Sequence, residues 1–425
     1  MPQNFYEIMS GRGFVEWCSH PDELGKKMTD EMVTGYVGFD PSADSLHVGN
    51  MVPIMGLAWL QKLGHRPIAL AGGGTGLIGD PSGKVKERQL LSVDQVAHNV
   101  ERIKKQLALF LDFDCGANSA ILVNNYDWLS KINFIEFLRD TGKYFPVSFL
   151  INREYVRNRI DDPEKTITFT ELAYLLLQAH DFDHMYNALD CSLQMGGNDQ
   201  QVNIIGGIDL IRKRSAGQAY GITFSLLLAA SGQKFGKSEE GAVYLDPQKT
   251  SPYKFYQFWV NTDDRDIAKL HRMYSFSSLG EIVALMAAHE RHPERREAQR
   301  LLAWEMTCRV HGSDAAERAR GASSILFGET EVRSASSDLL DTLADEIPTG
   351  RVESPLPYPL VDGLVASGGC ASKGEARRKI KEGGIYLNGE RISDEKREIT
   401  SDDVLPGGYA QVRIGKRDFR LLKIN

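Results

Sequence analysis

Long apolar runs are absent from this sequence. No stretch reaches the roughly twenty residues that a membrane-crossing helix needs, and the opening MPQNFYEIMSGRGF has no basic region followed by an apolar one. Cysteine is scarce. The five present, Cys18, Cys115, Cys191, Cys308 and Cys370, are odd in number and widely scattered, which fits neither a disulfide framework nor paired zinc-ligand spacing. An excess of basic charge is missing too: 50 Lys and Arg against 57 Asp and Glu leave a formal net charge of −7, so any nucleic-acid contact must come from a local patch. No internal repeat is found. These absences lead us to expect a soluble, cytoplasmic protein with no membrane partner and no dedicated metal site.

What is present is a chain of 425 residues, 42% hydrophobic, enough for roughly two to four domains. Residues 36–39 read as a strand, 46–63 as a helix and 66–71 as a second strand running into Gly72, Gly73 and Gly74, the pattern of a βαβ unit. Helices are expected at 84–111, 134–139 and 170–179, with strands at 120–123, 192–195 and 222–228. Such alternation implies an α/β fold, a doubly wound parallel sheet whose ligand site lies at the carboxyl ends of its strands. After Tyr244 helix signals dominate: Ser251 and Pro252 form a cap and first-turn pair, and Ser278 with Glu281 a capping box. Residues 347–359, with four prolines, look like a linker, and a small module follows.

Two short segments suit a phosphate. Ser45 is a good N-cap, so residues 46–50 read as the first turn of a helix whose free N–H groups and positive dipole end attract an anion. His47 would stand beside that anion, and Gly49 would let a base lie against the backbone. Pro53 should kink this helix. The second segment is the loop Lys234, Phe235, Gly236, Lys237, Ser238 after a predicted strand. Two ammonium groups on such a loop can close over a polyphosphate and neutralise departing pyrophosphate without any proton transfer. Taken singly, each segment reads better as a solvated surface feature than as a site. On the helix 170–179, Tyr174 and Gln178 are four apart and Asp181 three further on, so the three share a stripe able to line a pocket.

A strand, a His-x-Gly turn and a late Lys-Phe-Gly-Lys-Ser loop together resemble the two signature motifs of class I aminoacyl-tRNA synthetases. The resemblance extends through Gly38 to His47, Gly76 to Gly83, Tyr174 with Leu177-Gln178-Ala179, and Gly196-Gly197-Asn198-Asp199-Gln200, in the order found in bacterial tyrosyl-tRNA synthetases. It implies a Rossmann-like catalytic domain at 1–228 with an inserted dimerisation segment at about 130–170. A lysine-loop and α-helical anticodon-recognition domain at 229–328, a linker at 329–359 and a small α+β RNA-binding module at 360–425 would follow. It further implies ATP-dependent activation of L-tyrosine and transfer of the tyrosyl group to tRNA(Tyr) by a homodimer, with Mg²⁺ accompanying ATP.

Residue by residue, the resemblance assigns the α-amino group of tyrosine to Tyr174, Gln178 and Asp80, and its phenolic hydroxyl to Tyr36 and Asp181. Thr75, Asn125 and Gln194 approach the amino acid. Asp40, Pro41, His47, Gly49, Asn50, Gly197, Asp199, Gln200 and Lys237 meet the nucleotide, Asp199 accepting from a ribose hydroxyl. His47, Lys234, Lys237 and Ser238 carry the catalytic roles, and Lys84 and Arg88 meet the tRNA acceptor end. A buried carboxylate and phenol left unpaired by phenylalanine would penalise it, a rule for which tyrosine-specific synthetases are themselves the standing example. Asn50, Pro53, His180, Gln201 and Val202 depart from the family pattern near the site.

Gly74, Gly76 and Gly79 also fit G-x-G-x-x-G, the mark of a nicotinamide or flavin enzyme. Asp80-Pro81 interrupts the helix that should open there, and no second strand ending in an acidic residue follows, so the context rejects that reading. From Ser372 onward, thirteen Lys and Arg against nine Asp and Glu give a net of +4, leaving −11 for the rest. Lys373, Arg377, Arg378 and Lys381 crowd one short helix, and Asn388-Gly389 reads as a hairpin turn. The segment resembles a small RNA-binding fold first named from a ribosomal small-subunit protein. A non-catalytic RNA-binding protein is the rival reading, and the motifs upstream argue against it.

Overall fold

The computed structural model describes residues 3–80, 91–152, 154–162, 166–238, 241–415 and 418–424, and the side chains of residues 154, 155, 237 and 238 fall outside that description. Its central sheet has six strands: β1 (Val15–Cys18), β2 (Thr34–Phe39), β3 (Arg66–Ala71), β4 (Ile121–Asn124), β5 (Cys191–Gly197) and β6 (Tyr220–Phe224). They lie in the order β1-β6-β5-β2-β3-β4. All neighbours are parallel except β1, which pairs antiparallel with β6. The chain runs outward from β2 through β3 to β4, then returns to the other side of β2 for β5. Strand direction of progress reverses between β2 and β5, and a crevice opens at their carboxyl ends.

Near-continuous apolar burial in β3 and β6 reflects helices on both faces. Tyr36, Ile68, Leu70, Phe182, Met185 and Ile211 pack one such layer. β3 and the helix Phe134–Asp140 fall where the sequence places them, whereas the helix expected at 170–179 runs from Phe169 to Leu189. One further expectation needs correction. The helix expected at 84–111 spans Val93–Leu107, because Ser92 and Gln95 close a capping box there; residues 84–90 lie outside the described residues. Strand β1 was not foreseen, since four residues at an edge give almost no periodic signal.

The chain divides into one unit of Met1–Thr250 with Thr262–Leu302 and another of Ser251–Asn261 with Ala303–Asn425. The helical stretch expected as one domain at 229–328 is therefore shared between them. In the first unit, Arg12 explains the attachment of the helix Asp264–Tyr274. Its guanidinium donates to the carbonyls of Arg272, Ser275 and Ser277 at 2.7–2.8 Å and rests 4.3 Å from the Trp59 ring, satisfying carbonyls that a helix end leaves open.

In the second unit one foreseen cap is present: Ser251 with Pro252 starts the helix Pro252–Val260. The region expected to be a linker at 329–359 is structured. It holds the helix Ser337–Glu346 and the strand Thr349–Val352, which pairs in parallel with Asp418–Ile424 at the edge of a five-stranded sheet. Its prolines sit at turns and strand ends, where a missing N–H costs no ladder bond. In the same sheet Ile385–Leu387 and Glu390–Ile392 form the expected hairpin, with Asn388 at φ 50° and Gly389 at φ 89° as its two-residue turn.

Candidate active site

The crevice between β2 and β5 widens into a cavity of about 1390 Å³. Its floor is set by register: Tyr36 of β2 stands directly opposite Gln194 of β5. Both are buried, and both the Tyr36 hydroxyl and the Gln194 Oε1 lack a hydrogen-bond partner among the described residues. Orphaned buried polar atoms are costly, so a pair of them on one cavity floor marks a place for a polar ligand atom.

Asp181, 1% exposed, closes this end. Its carboxylate accepts from Asn125 Nδ2 at 2.8 Å and Trp128 Nε1 at 2.7 Å. Burial pushes its pKa up to about 7, against the pull of those two donors. Burial, followed by the Asp181 charge, also raises the Tyr36 phenol. Asn125 does not line the cavity; it stands behind it, its Oδ1 accepting from Gly74 N at 2.7 Å and its Nδ2 donating to Thr75 Oγ1 at 3.0 Å. Trp128 stacks on His184 with ring centroids 4.5 Å apart. It is a site residue the sequence reading missed, although its place three residues after Asn125 was a usable signal.

The middle of the cavity differs from the expected arrangement. Tyr174 OH donates to both Asp40 oxygens at 3.2–3.3 Å, and Asp40 also accepts from Thr75 Oγ1 at 3.3 Å and Asp80 N at 3.4 Å. Asp40, expected at the nucleotide, thus sits with the residues expected at the amino group. Gln178 does not reach Asp80 directly. It donates to Gln200 Oε1 at 3.1 Å, and Gln200 Nε2 donates to Asp80 Oδ2 at 2.7 Å. Asn203 Nδ2 holds Gln178 Oε1 at 3.0 Å. Two carboxylates, Asp40 and Asp80, thus face one polar chamber suited to a cation of ammonium size, with Asp181 beyond it at the closed end. Burial and then the nearby Asp80 charge raise the Asp199 carboxyl, with Lys234 pulling the other way.

At the open end the two phosphate-suited segments meet. His47, not Ser45, is the N-cap, of a short 3₁₀ turn Val48–Asn50 that leads into the helix Met51–Lys62; Asn50 Oδ1 accepts from His47 N at 3.0 Å. Ser45 is unavailable for capping because Gln106 Nε2 donates to its hydroxyl, which donates in turn to the Leu46 carbonyl. Pro53 lies in the first turn of the helix, where its missing N–H removes nothing essential, so no kink is required. Val48 N donates to Val243 O at 2.8 Å and Leu245 N to Leu46 O at 2.9 Å, pairing the His47 segment with the chain just beyond the lysine loop. Gly236, at φ 96°, completes the junction: a Cβ there would lie 2.6 Å from Gly49 N. Phe235 packs near Tyr274 with centroids 6.2 Å apart.

Fifteen of the residues given catalytic or binding roles from the sequence line this one cavity: Tyr36, Asp40, His47, Gly49, Asn50, Thr75, Asp80, Tyr174, Gln178, Asp181, Gln194, Gly197, Asp199, Gln200 and Lys234. Pro41 does not; its carbonyl accepts from Asn99 Nδ2 at 2.9 Å. Lys84 and Arg88 lie outside the described residues, as do the side chains of Lys237 and Ser238, whose backbone pairs with Gly241–Ala242. The departures Gln201 and Val202 also line the cavity, as does Arg159, for which no motif gave a signal. Gly74 to Gly79 form a 3₁₀ turn at Thr75–Leu77 instead of opening a helix, consistent with rejecting the dinucleotide fingerprint. In the second unit Lys373, Arg377, Arg378 and Lys381 are exposed on the helix Lys373–Lys381, where Lys373 pairs with Asp362 at 2.8 Å and Lys381 with Glu395 at 3.3 Å.

The family model for class I tRNA synthetases (W and Y) matches residues 28–328, and one for the C-terminal domain of tyrosine–tRNA ligases matches 339–422. The chain is 48% identical to a tyrosine–tRNA ligase of Roseiflexus castenholzii over 95% of its own length and 96% of that protein's. It is 46% identical to one of Anaeromyxobacter dehalogenans over 99% and 100%. A C-terminally truncated mitochondrial tyrosyl-tRNA synthetase from Aspergillus nidulans superimposes with a TM-score of 0.69 at 30% identity, covering 76% of this chain and 94% of that one.

Proposed function

The chain belongs to the class I tRNA synthetases, in the tyrosine–tRNA ligase branch, and from that membership we propose how its cavity divides the work of the reaction. Tyrosine is activated by ATP to tyrosyl-adenylate and then transferred to tRNA(Tyr). The observation that carries the assignment of parts is the buried Tyr36 hydroxyl, without a partner among the described residues, beside the doubly hydrogen-bonded Asp181 carboxylate. A phenolic hydroxyl entering between them donates to Asp181 and accepts from Tyr36, satisfying an otherwise orphaned donor. Phenylalanine leaves the Tyr36 hydroxyl orphaned and brings Asp181 no further donor.

The chamber of Asp40, Asp80, Tyr174, Gln178 and Gln200 takes the α-ammonium group. That placement sends the carboxylate toward the open end, where the 3₁₀ turn after His47 and Lys234 hold the phosphates of ATP, with Lys237 and Ser238 assigned to the same end. Asp199 accepts from the ribose. No side-chain nucleophile is used: the carboxylate oxygen attacks the α-phosphorus, pyrophosphate leaves, and rate comes from alignment and charge stabilisation. Mg²⁺ arrives on the ATP phosphates and adds to that charge stabilisation.

Lys84 and Arg88, together with Lys373, Arg377, Arg378 and Lys381 of the terminal module, are assigned to tRNA, and the helical stretch before that module to its anticodon region. The five cysteines are all free, and no helix among the described residues is long and apolar enough to cross a membrane, which supports a cytoplasmic setting. A homodimer is supported by Phe134, Ile135, Val147 and Phe169, each more than 60% exposed within one inserted stretch. Light scattering on Ile135→Asp is expected to give a monomer mass where the parent gives a dimer. The decisive assay is exchange of labelled pyrophosphate into ATP, expected with tyrosine and absent with tryptophan or phenylalanine. Exchange driven by tryptophan would overturn the assignment of the phenol site.

A further inference from the structure

Glu171, Tyr174, Gln178 and Asp181 fall at successive offsets of three, four and three on the helix Phe169–Leu189, and so occupy one stripe. The last three face the cavity. Glu171 does something else: it closes the capping box that starts the helix, its Oε2 accepting from Thr168 N at 2.9 Å and Thr168 Oγ1 at 3.1 Å while its own N–H donates to Thr168 Oγ1 at 3.3 Å. The same carboxylate is gripped by Arg159, whose Nη1 and Nη2 each donate to it, the second at 3.2 Å to Oε2. Arg159 Nη2 also donates to the Thr166 carbonyl.

Arg159 is 6% exposed, lines the cavity, and comes from a separate helix, Glu154–Ile160, in the inserted stretch. One guanidinium therefore ties three things: the inserted helix, the connecting chain at Thr166, and the first turn of the helix that carries the ammonium-binding residues. Tyr174 is less than one turn beyond Glu171, so any fraying of that first turn reaches Tyr174 and its bond to Asp40 before it reaches Asp181, ten residues along.

We propose that Arg159 is a positioning residue for amino-acid binding: through its bidentate pair with Glu171 it fixes the helix start, and thereby the placement of Tyr174 and Gln178 around the substrate ammonium group, while leaving the phenol end of the cavity untouched. This rests on the assignment of the chamber given above, and adds a residue from outside it. A bidentate guanidinium is required because a lysine supplies one point charge and cannot satisfy two carboxylate oxygens and the Thr166 carbonyl in one plane.

The test uses two competitive inhibitors with the full-length enzyme: tyramine, which keeps phenol and ammonium, and 3-(4-hydroxyphenyl)propionate, which keeps phenol and carboxylate but has no ammonium. In Arg159→Lys and Glu171→Gln, KM for tyrosine and Ki for tyramine are expected to rise about tenfold, with Ki for the propionate and KM for ATP within twofold of the parent. The double variant is expected to be no worse than the more severe single variant, since each residue acts through the other. Equal losses for both inhibitors, or a rise in KM for ATP matching that for tyrosine, would assign Arg159 to general stability and overturn the proposal; so would no change in tyramine binding. Failure of the parent enzyme to exchange with tyrosine is a different result, and would overturn the function itself.

Discussion

The two ends of the cavity are built on opposite plans. At the phenol end the polar groups are side chains of the interior: Asp181 is held by buried Asn125 and half-buried Trp128, and buried Tyr36 and Gln194 keep polar atoms with no partner among the described residues. At the phosphate end the chain brings backbone to backbone, His47 to Tyr244 and Gly236 to Gly49, and sets Lys234 on an exposed loop. The difference follows from what each end must do. Discrimination between a hydroxyl and a hydrogen needs groups already stripped of water, because only then is an unmet hydrogen bond expensive. Charge stabilisation of a leaving polyphosphate needs cations and N–H groups that can close after the ligand has entered.

Four perturbations separate these plans, taken from the largest expected effect to the smallest. Asp181→Asn removes a charged acceptor from two buried donors and from the substrate, and kcat/KM for tyrosine in pyrophosphate exchange should fall about a thousandfold, on the order of 4 kcal/mol, with KM for ATP little changed. An equal loss in the ATP parameter would show that the ends are not independent. Gly236→Ala inverts the pattern. Its Cβ meets the Gly49 backbone at a positive φ, a strain of roughly 1–3 kcal/mol, so steady-state kinetics should show kcat reduced about ten- to a hundredfold with tyrosine affinity by equilibrium dialysis unchanged.

Acidification probes the phenol end through Asp181, whose carboxyl is raised from its ordinary 3.8 to about 7 by burial. A folded-state value above the unfolded one means that this group stabilises the fold fully below pH 3.8, and that the contribution is lost as pH rises through about 7. Substrate binding runs the other way, since a phenol donating to the carboxylate favours the ionised form. Tyrosine binding should therefore release a proton, and kcat/KM for tyrosine should fall about tenfold per unit below pH 7. A pH profile of Asp181→Asn should lack that inflection. Tyr36→Phe is the gentlest change. It deletes one neutral hydrogen bond and relieves an orphaned hydroxyl, so KM for tyrosine should rise only about two- to tenfold by the same exchange assay, with thermal stability equal or higher.

Much of this molecule is legible in one dimension where the signal is local. The βαβ alternation gives β3 at its observed bounds, Ser251-Pro252 and Ser278 with Glu281 announce their helices, and Asn388-Gly389 announces its turn. Fifteen site residues gather in one cavity because most of the motifs that name them sit at strand ends and helix starts, the points a doubly wound sheet converges on, and the stripe of Tyr174, Gln178 and Asp181 on the long helix faces the same crevice. Where reading along the chain fails, the partner is far away in sequence. Ser45 looks like a cap until Gln106 takes it, and residues 347–359 look like a linker until the last strand pairs with them; the bond from Tyr174 to Asp40 likewise has no signal along the chain.

The sequence by itself determined the class of fold, the two phosphate-suited segments and the stripe on the long helix, since periodicity, caps and glycine placement act within a few residues. Only the tertiary structure decided which polar atoms are left without partners and which are shared. The Tyr36 hydroxyl became an orphan because β2 meets β5 in one register, and Arg159 became part of the site because a separate helix packs its guanidinium on Glu171. Hydrogen-bond satisfaction is settled by every group within about 3 Å, and neither neighbourhood can be read from spacing along the chain.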